Sequence, residues 1–205
     1  MSFTIFRRSH QLRLNGNKIS VFGAMQKTYL NAQDYLRDAW RLAERVLSSH
    51  WRPDWLIGLW RGGALPAIAV HEYLAAKGVS VRQAPLVCSS YHGIGARAAT
   101  VHIEDVEGWR TRIHTGERVL LVDDVYDSGC TIQAVRQLME SAGADVRSAV
   151  VYMKDVPREI SAKPDYYVRE WPNEWLVFPH ELVGLTAEEL AEKDELLSEK
   201  IQAGK

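Results

Sequence analysis

The chain has only two cysteines, Cys88 and Cys130, in 205 residues. They lie far apart and in different segments, so neither a disulfide framework nor a thiolate metal motif is expected, and a reducing compartment is the natural setting. Long apolar stretches are also missing. The run Ala64–Val70 (ALPAIAV) falls far short of the roughly 20 residues that span a bilayer. Arg7 and Arg8 are not followed by an apolar segment, so no secretory leader is expected. The expectation is a cytoplasmic protein without membrane contact. Charge of one sign is not in excess: 25 Lys and Arg face 26 Asp and Glu, for a net −1. A broad nucleic-acid surface needs clustered cations and is not expected. The seven histidines form no close cluster with acids or cysteines, which argues against zinc. No internal repeat or low-complexity tract is present.

What is there suits one α/β domain with a real core. Residues 31–47 (NAQDYLRDAWRLAERVL) put Leu36, Ala39, Trp40, Ala43, Val46 and Leu47 on one helical face, with Asn31 as N-cap. The apolar strand Trp55–Trp60 follows, then a glycine pair and a helix over Ala64–Lys77 closed by Gly78. A second strand, Pro85–Tyr91, leads into a polar stretch from His92 to Gly116, too long for an ordinary connection; a mobile loop containing a hairpin is expected. Val119–Val122 reads as a buried strand, Asp123–Thr131 as a turn, Ile132–Ala142 as a helix, and Val146–Met153 as a further strand. Such alternation implies right-handed crossovers and a parallel sheet, with ligands at the carboxyl ends of the strands. One domain over 1–205 is expected: a core over 31–160, a cap from 1–30 and 161–185, and a charged C-terminal helix over 186–205. Thr186 and Glu189 form its capping box, and it is expected to pack without chemistry.

The most informative string is Val119–Thr131, VLLVDDVYDSGCT. A strand delivers two adjacent carboxylates, and a turn bearing hydroxyls then opens directly onto a helix. The backbone N–H groups of Ser128, Gly129, Cys130 and Thr131 would be exposed at a helix N-terminus, where the dipole favours an anion. The Walker A pattern is absent, so this is a different cradle. Two carboxylates would repel a phosphate beside them unless they bound hydroxyls or a metal. A ribose 5-phosphate meets both demands.

This string resembles the signature of the type I phosphoribosyltransferases: a hydrophobic run, two acids, then D-[ST]-G-x-T. The likeness is greatest to the hypoxanthine and xanthine-guanine branch and covers roughly residues 25–182. It implies a central, mainly parallel sheet flanked by helices, with a small hood from the terminal segments. It further implies that Asp123 and Asp124 hold the ribose hydroxyls of phosphoribosyl pyrophosphate, that Ser128–Thr131 bind the 5-phosphate, and that Asp127 accepts a proton from the base.

The same resemblance gives roles to other positions. Trp60, Arg61 and Gly62 would form the pyrophosphate loop, with a cis peptide at Trp60–Arg61. Ser90 and Tyr91 look like the Ser-Tyr pair of a loop that closes over the reacting centre and excludes water. Lys154 would donate to a 6-oxo group, Trp175 would stack on the base, and the backbone of Leu176 would read it. Glu181, where an aspartate is common, would join Asp123 and Asp124 around Mg²⁺. The implied activity is transfer of ribose 5-phosphate to a 6-oxopurine in purine salvage, by a homodimer or homotetramer. Two alternatives stay open: a non-catalytic sensor of phosphoribosyl pyrophosphate, and an enzyme for another base.

Overall fold

The computed structural model describes residues 13–14, 17–18, 27–91, 100–156, 162–194 and 201. A short antiparallel pair, β1 (Arg13–Leu14) and β2 (Asn17–Lys18), precedes β3 (Lys27–Tyr29) and α1 (Ala32–Ser48). Next come β4 (Trp55–Trp60), α2 (Ala64–Ala76), β5 (Arg82–Tyr91), β6 (Thr100–Ile103) and α3 (Val106–Arg112). The unit β7 (Arg118–Tyr126), α4 (Cys130–Ser141), β8 (Asp145–Lys154) leads to β9 (Tyr166–Trp171), β10 (Trp175–Val177) and α5 (Ala187–Lys193).

Six strands form the main sheet in the order β6-β5-β4-β7-β8-β9, and only the β5–β6 pair is antiparallel. Val119, Leu120, Leu121 and Val122 of β7 are all fully buried, as expected for a strand covered on both faces. One core layer joins Leu120 and Val122 to α1 and α2; the other joins Val119 and Leu121 to α3 and α4. The chain winds outward from β4 to β5 and, after the crossover, from β7 to β8 in the opposite direction. The loops following β4 and β7 therefore flank a topological switch point, where open α/β sheets bind ligands.

Several elements differ from the sequence expectation. In α1, Asn31 caps the helix by accepting from the amides of Gln33 (2.9 Å) and Asp34 (3.2 Å). Its buried face, however, is Tyr35, Asp38, Ala39, Leu42, Ala43 and Val46, whereas Leu36 and Trp40 are exposed. The rotation follows from Asp38, whose carboxylate is almost fully buried and accepts from Arg169 (2.6 and 2.8 Å), Arg41 (2.8 Å) and Tyr152 (3.0 Å). A carboxylate goes inside only with such partners, and Arg169 lies far away in sequence. The polar stretch 92–116 contains the expected hairpin arm, with Cys88 opposite Ile103 and Tyr91 opposite Thr100. It also contains α3, which the pattern did not announce; Trp109 anchors it, buried and edge-on to Trp55.

The segment 161–185 is not all cap. β9 pairs in parallel with β8 and so extends the main sheet, while β10 pairs in parallel with β3 as a separate two-stranded unit. The carboxylate of Asp165 fixes β9 by accepting from Ser148 and Arg136. The capping box of α5 is present, and Glu189 also pairs with Lys27 of β3 at 2.7 Å. Among the described residues, no helix is long and apolar enough to cross a membrane.

Candidate active site

Asp123 and Asp124 lie inside β7, not beyond it; the ladder to β8 continues through Asp123–Val150 to Val125–Tyr152. Asp123 accepts from the amide of Asp124 (3.0 Å), and Asp124 accepts from that of Val125 (2.6 Å). Burial and the neighbouring Asp124 carboxylate push the Asp123 carboxyl well above the usual range. Burial, with the Glu181 carboxylate adding to it, raises Asp124 to about 6. Two carboxylates held so close, Asp124 buried and Asp123 half-buried, call for hydroxyl donors or a cation.

The loop after β4 closes over this pair. The Trp60–Arg61 peptide is cis. A Cβ on Gly62 would sit 2.5 Å from an Asp124 oxygen, so only glycine allows the approach. Arg61, Gly62, Asp124, His180 and Glu181 line one cavity of about 200 Å³. The exposed side chain of Trp60 lines a different, largely apolar cavity with Leu56, Ala64 and Ile68, leaving only its backbone to the Arg61 loop.

The turn after β7 has the shape of an anion cradle. Gly129 takes φ 82° at the N-cap of α4 and has no side chain to cap it; Oγ of Ser128 accepts from the Cys130 amide at a long 3.4 Å. The helix N-terminus thus faces the turn. Glycine is required twice over: its φ is left-handed, and a Cβ would come within 2.6 Å of Cζ of Tyr126. Gly129→Ala is therefore expected to cost about 1–3 kcal/mol and to lower the melting temperature. A thermal melt matching wild type would refute the role of that φ.

Asp127 projects from the same turn, and its Oδ2 accepts from Nζ of Lys154 at 2.9 Å. Lys154 is the last residue of β8 and is buried, whereas Asp127 is exposed. The sequence reading assigned these two groups separate roles; the fold makes them a pair. Trp175 opens β10 with 52% of its surface exposed, free to meet a planar ligand. The Leu176 side chain is in the core, so only its backbone could face such a ligand. Ser90 and Tyr91 end β5 opposite Val101 and Thr100; the expectation for their side chains lies outside the described residues.

Asp123, Asp124 and Glu181 are the groups expected around Mg²⁺. Among the described residues, no three His, Cys, Asp or Glu side chains are placed to hold a metal together. The Asp123 carboxylate acts on the Cys88 thiol as well as on Asp124, and Asp124 in turn feels Glu181. Two site residues escaped the sequence reading. His180 enters the cavity lining, and burial holds its pKa below the usual value. Lys193 of α5, read as part of an inert tail, donates to the carbonyls of Phe178 and Glu181, both at 2.6 Å. The separation of the Pro179-His180-Glu181 string from that lysine hid the link; the capping box alone signalled that the helix began there.

Residues 25–182 match the phosphoribosyl transferase domain family. The chain belongs to that family. As a family member it is 34% identical over 93 residues to a hypoxanthine-guanine phosphoribosyltransferase of Lactococcus lactis, a match covering 45% of this chain. The chain spans about half (49%) of the length of that curated relative. Among solved structures it is similar to a purine phosphoribosyltransferase from Pyrococcus horikoshii Ot3 (TM-score 0.61, 28% identity, 79% of this chain and 98% of the other). It also shares the fold of a hypoxanthine phosphoribosyltransferase from Staphylococcus aureus (TM-score 0.57, 17% identity, 71% and 77%). The mainly parallel sheet with flanking helices is the fold expected from the signature.

In this phosphoribosyltransferase-family chain the Cys88 thiol is held protonated. Burial, with Asp123 nearby, pushes the Cys88 thiol up to about 12. The reactive thiolate is thus scarce at about pH 8, below that value. Iodoacetamide is expected to leave the Cys88 peptide largely unmodified in the folded protein; rapid alkylation seen by mass spectrometry would contradict the burial.

Proposed function

We propose that this protein transfers ribose 5-phosphate from phosphoribosyl pyrophosphate to a 6-oxopurine, releasing pyrophosphate. The observation that carries this reading is the Lys154–Asp127 pair, held at 2.9 Å beside the phosphate turn. An ammonium has only donors and suits a carbonyl oxygen, while the carboxylate beside it suits a ring N–H. Adjacent ring positions of hypoxanthine, guanine and xanthine present that oxygen and that N–H together. The name of the Lactococcus relative supports the same substrate class, and that of the Pyrococcus relative a purine.

The residues divide the work by position. The amides of Ser128, Gly129, Cys130 and Thr131 would hold the 5-phosphate, and Asp123 and Asp124 the ribose hydroxyls. A purine ring nitrogen forms its bond to C1′ as the bond from C1′ to the pyrophosphate oxygen breaks, and the leaving group takes the electron pair. Asp127 takes the ring proton as general base, Trp175 stacks on the base, and the Leu176 backbone reads its edge. Trp60, through its backbone, Arg61 and Gly62 would bind the leaving pyrophosphate, and Arg61 would stabilise its charge. Ser90 and Tyr91 would belong to the closing loop.

Mg²⁺ suits this donor set, because that ion is commonly bound through one or two carboxylates with substrate oxygens and water completing its shell. Asp124 and Glu181, which line one cavity, would face it with Asp123 close behind. When bound it would neutralise charge on the leaving group. Salvage of purines in the cytoplasm, by a dimer or tetramer, completes the reading. Its test is pyrophosphate release from phosphoribosyl pyrophosphate and Mg²⁺ with each base supplied separately. Turnover with hypoxanthine, guanine or xanthine is expected; turnover with adenine or a pyrimidine alone would reject the base assignment, and binding without turnover would favour a sensor.

A further inference from the structure

We propose that His180 is a ligand for the pyrophosphate leaving group, presented to it by a turn that Lys193 clamps. The inference rests on the reading above and adds a residue that the signature does not contain. The cavity beside Asp124 has few ways to hold a polyanion. Of the residues lining it, Asp124 and Glu181 are acidic, Gly62 has no side chain, and Leu182 and Val183 are apolar. Only Arg61 and His180 carry side-chain donors. A pyrophosphate entering past two carboxylates needs every donor the wall offers.

The geometry fits a ligand better than a packing residue. The imidazole of His180 has no hydrogen-bond partner among the described residues, and its ring rests tilted on Phe178 with centroids 6.0 Å apart. The residue is exposed on the side that lines the cavity. A histidine serving only to close the turn would use a ring nitrogen to do so, yet the turn is closed by other groups. The Phe178 amide donates to Oε2 of Glu181 (3.0 Å), and the Glu181 amide donates to the Phe178 carbonyl (3.0 Å). Nζ of Lys193 then ties the Phe178 and Glu181 carbonyls together from α5, at 2.6 Å each. His180 sits at the crest of this fixed loop, so its backbone needs no reordering to present the ring N–H to a ligand. Lys193 acts through the loop and is a positioning residue.

The test uses His180→Ala and His180→Gln in the full chain, with pyrophosphate titrated by calorimetry in Mg²⁺ and steady-state kinetics alongside. Nucleoside monophosphate, which lacks the pyrophosphate, is the internal control. His180→Ala should weaken pyrophosphate binding and raise KM for phosphoribosyl pyrophosphate by roughly tenfold to a hundredfold, the worth of a hydrogen bond to a charged group. Base KM and monophosphate affinity should stay at wild-type values. His180→Gln, which keeps an N–H donor, should recover part of the loss. Lys193→Met should reproduce the pyrophosphate defect in weaker form. Wild-type pyrophosphate affinity in His180→Ala, an equal loss for the monophosphate, or no recovery in His180→Gln would each overturn the assignment. A wild-type protein that binds pyrophosphate but turns over no base would instead defeat the transferase reading, and the His180 comparison would still stand on binding alone.

Discussion

The double variant Asp123→Asn, Asp124→Asn is expected to melt at a higher temperature than wild type while losing phosphoribosyl pyrophosphate affinity by at least about a hundredfold. Both effects come from the same burial. Folding raises both carboxyl pKa values, so the fold favours the protonated forms. For Asp124, stability is fully present below the unfolded value of 3.8 and falls as pH rises toward the folded value of about 6. Near neutral pH both groups are destabilising in the absence of ligand, and amides would relieve that repulsion. The melting advantage should shrink on acidification and vanish near pH 4, where the wild-type carboxylates are neutral too. In binding, each lost charged hydrogen bond to a ribose hydroxyl is worth about 1.5–3 kcal/mol. Thermal melts across pH and calorimetry with phosphoribosyl pyrophosphate check the two halves separately. Wild-type affinity in the double variant would remove the ribose assignment; a lower melting temperature at neutral pH would show that the carboxylates are paired more favourably than their burial indicates.

Asp127→Asn is expected to lower kcat by about 10²–10⁴-fold, the usual contribution of a positioned base, with a much smaller change in KM. The amide keeps the shape of the turn but cannot accept the ring proton. Lys154→Ala should cost hypoxanthine roughly 1.5–3 kcal/mol in kcat/KM and leave any adenine activity untouched or improved, because a buried ammonium opposes the 6-amino group. The ion pair at 2.9 Å adds a requirement. If both groups grip one edge of the base as a unit, the double variant should lose less than the product of the single losses. Strict additivity of the two substitutions, measured with hypoxanthine, would mean that they act apart. A defect of Asp127→Asn confined to KM would reduce its role to binding.

Much of the scaffold was legible because it is local. The capping side chain of Asn31, the apolar strands and the glycine-bearing turn of Val119–Thr131 all follow from residues a few positions apart. Their alternation fixes a parallel α/β sheet. Spacing could not say which face of α1 turns inward, because the deciding contact is an ion pair between the buried Asp38 and the exposed Arg169, far away in sequence. Nor could it place β9: a short, partly polar strand joins whichever edge accepts its ladder, and Asp165 bonds it to Ser148 and Arg136.

The sequence by itself determined which groups the candidate centre is built from, since the acids, the glycine turn and its hydroxyls occupy one continuous string. Only the tertiary structure decided how that string is completed. It set Gly62 against Asp124 and Lys154 against Asp127, turned the Trp60 side chain away from the Arg61 cavity, and brought His180 in under the clamp of Lys193. Each of these joins residues on different elements at the switch point. Hydrophobic burial drives the packing that brings them together and is blind to their chemistry, so no local pattern in the chain announces the pairs.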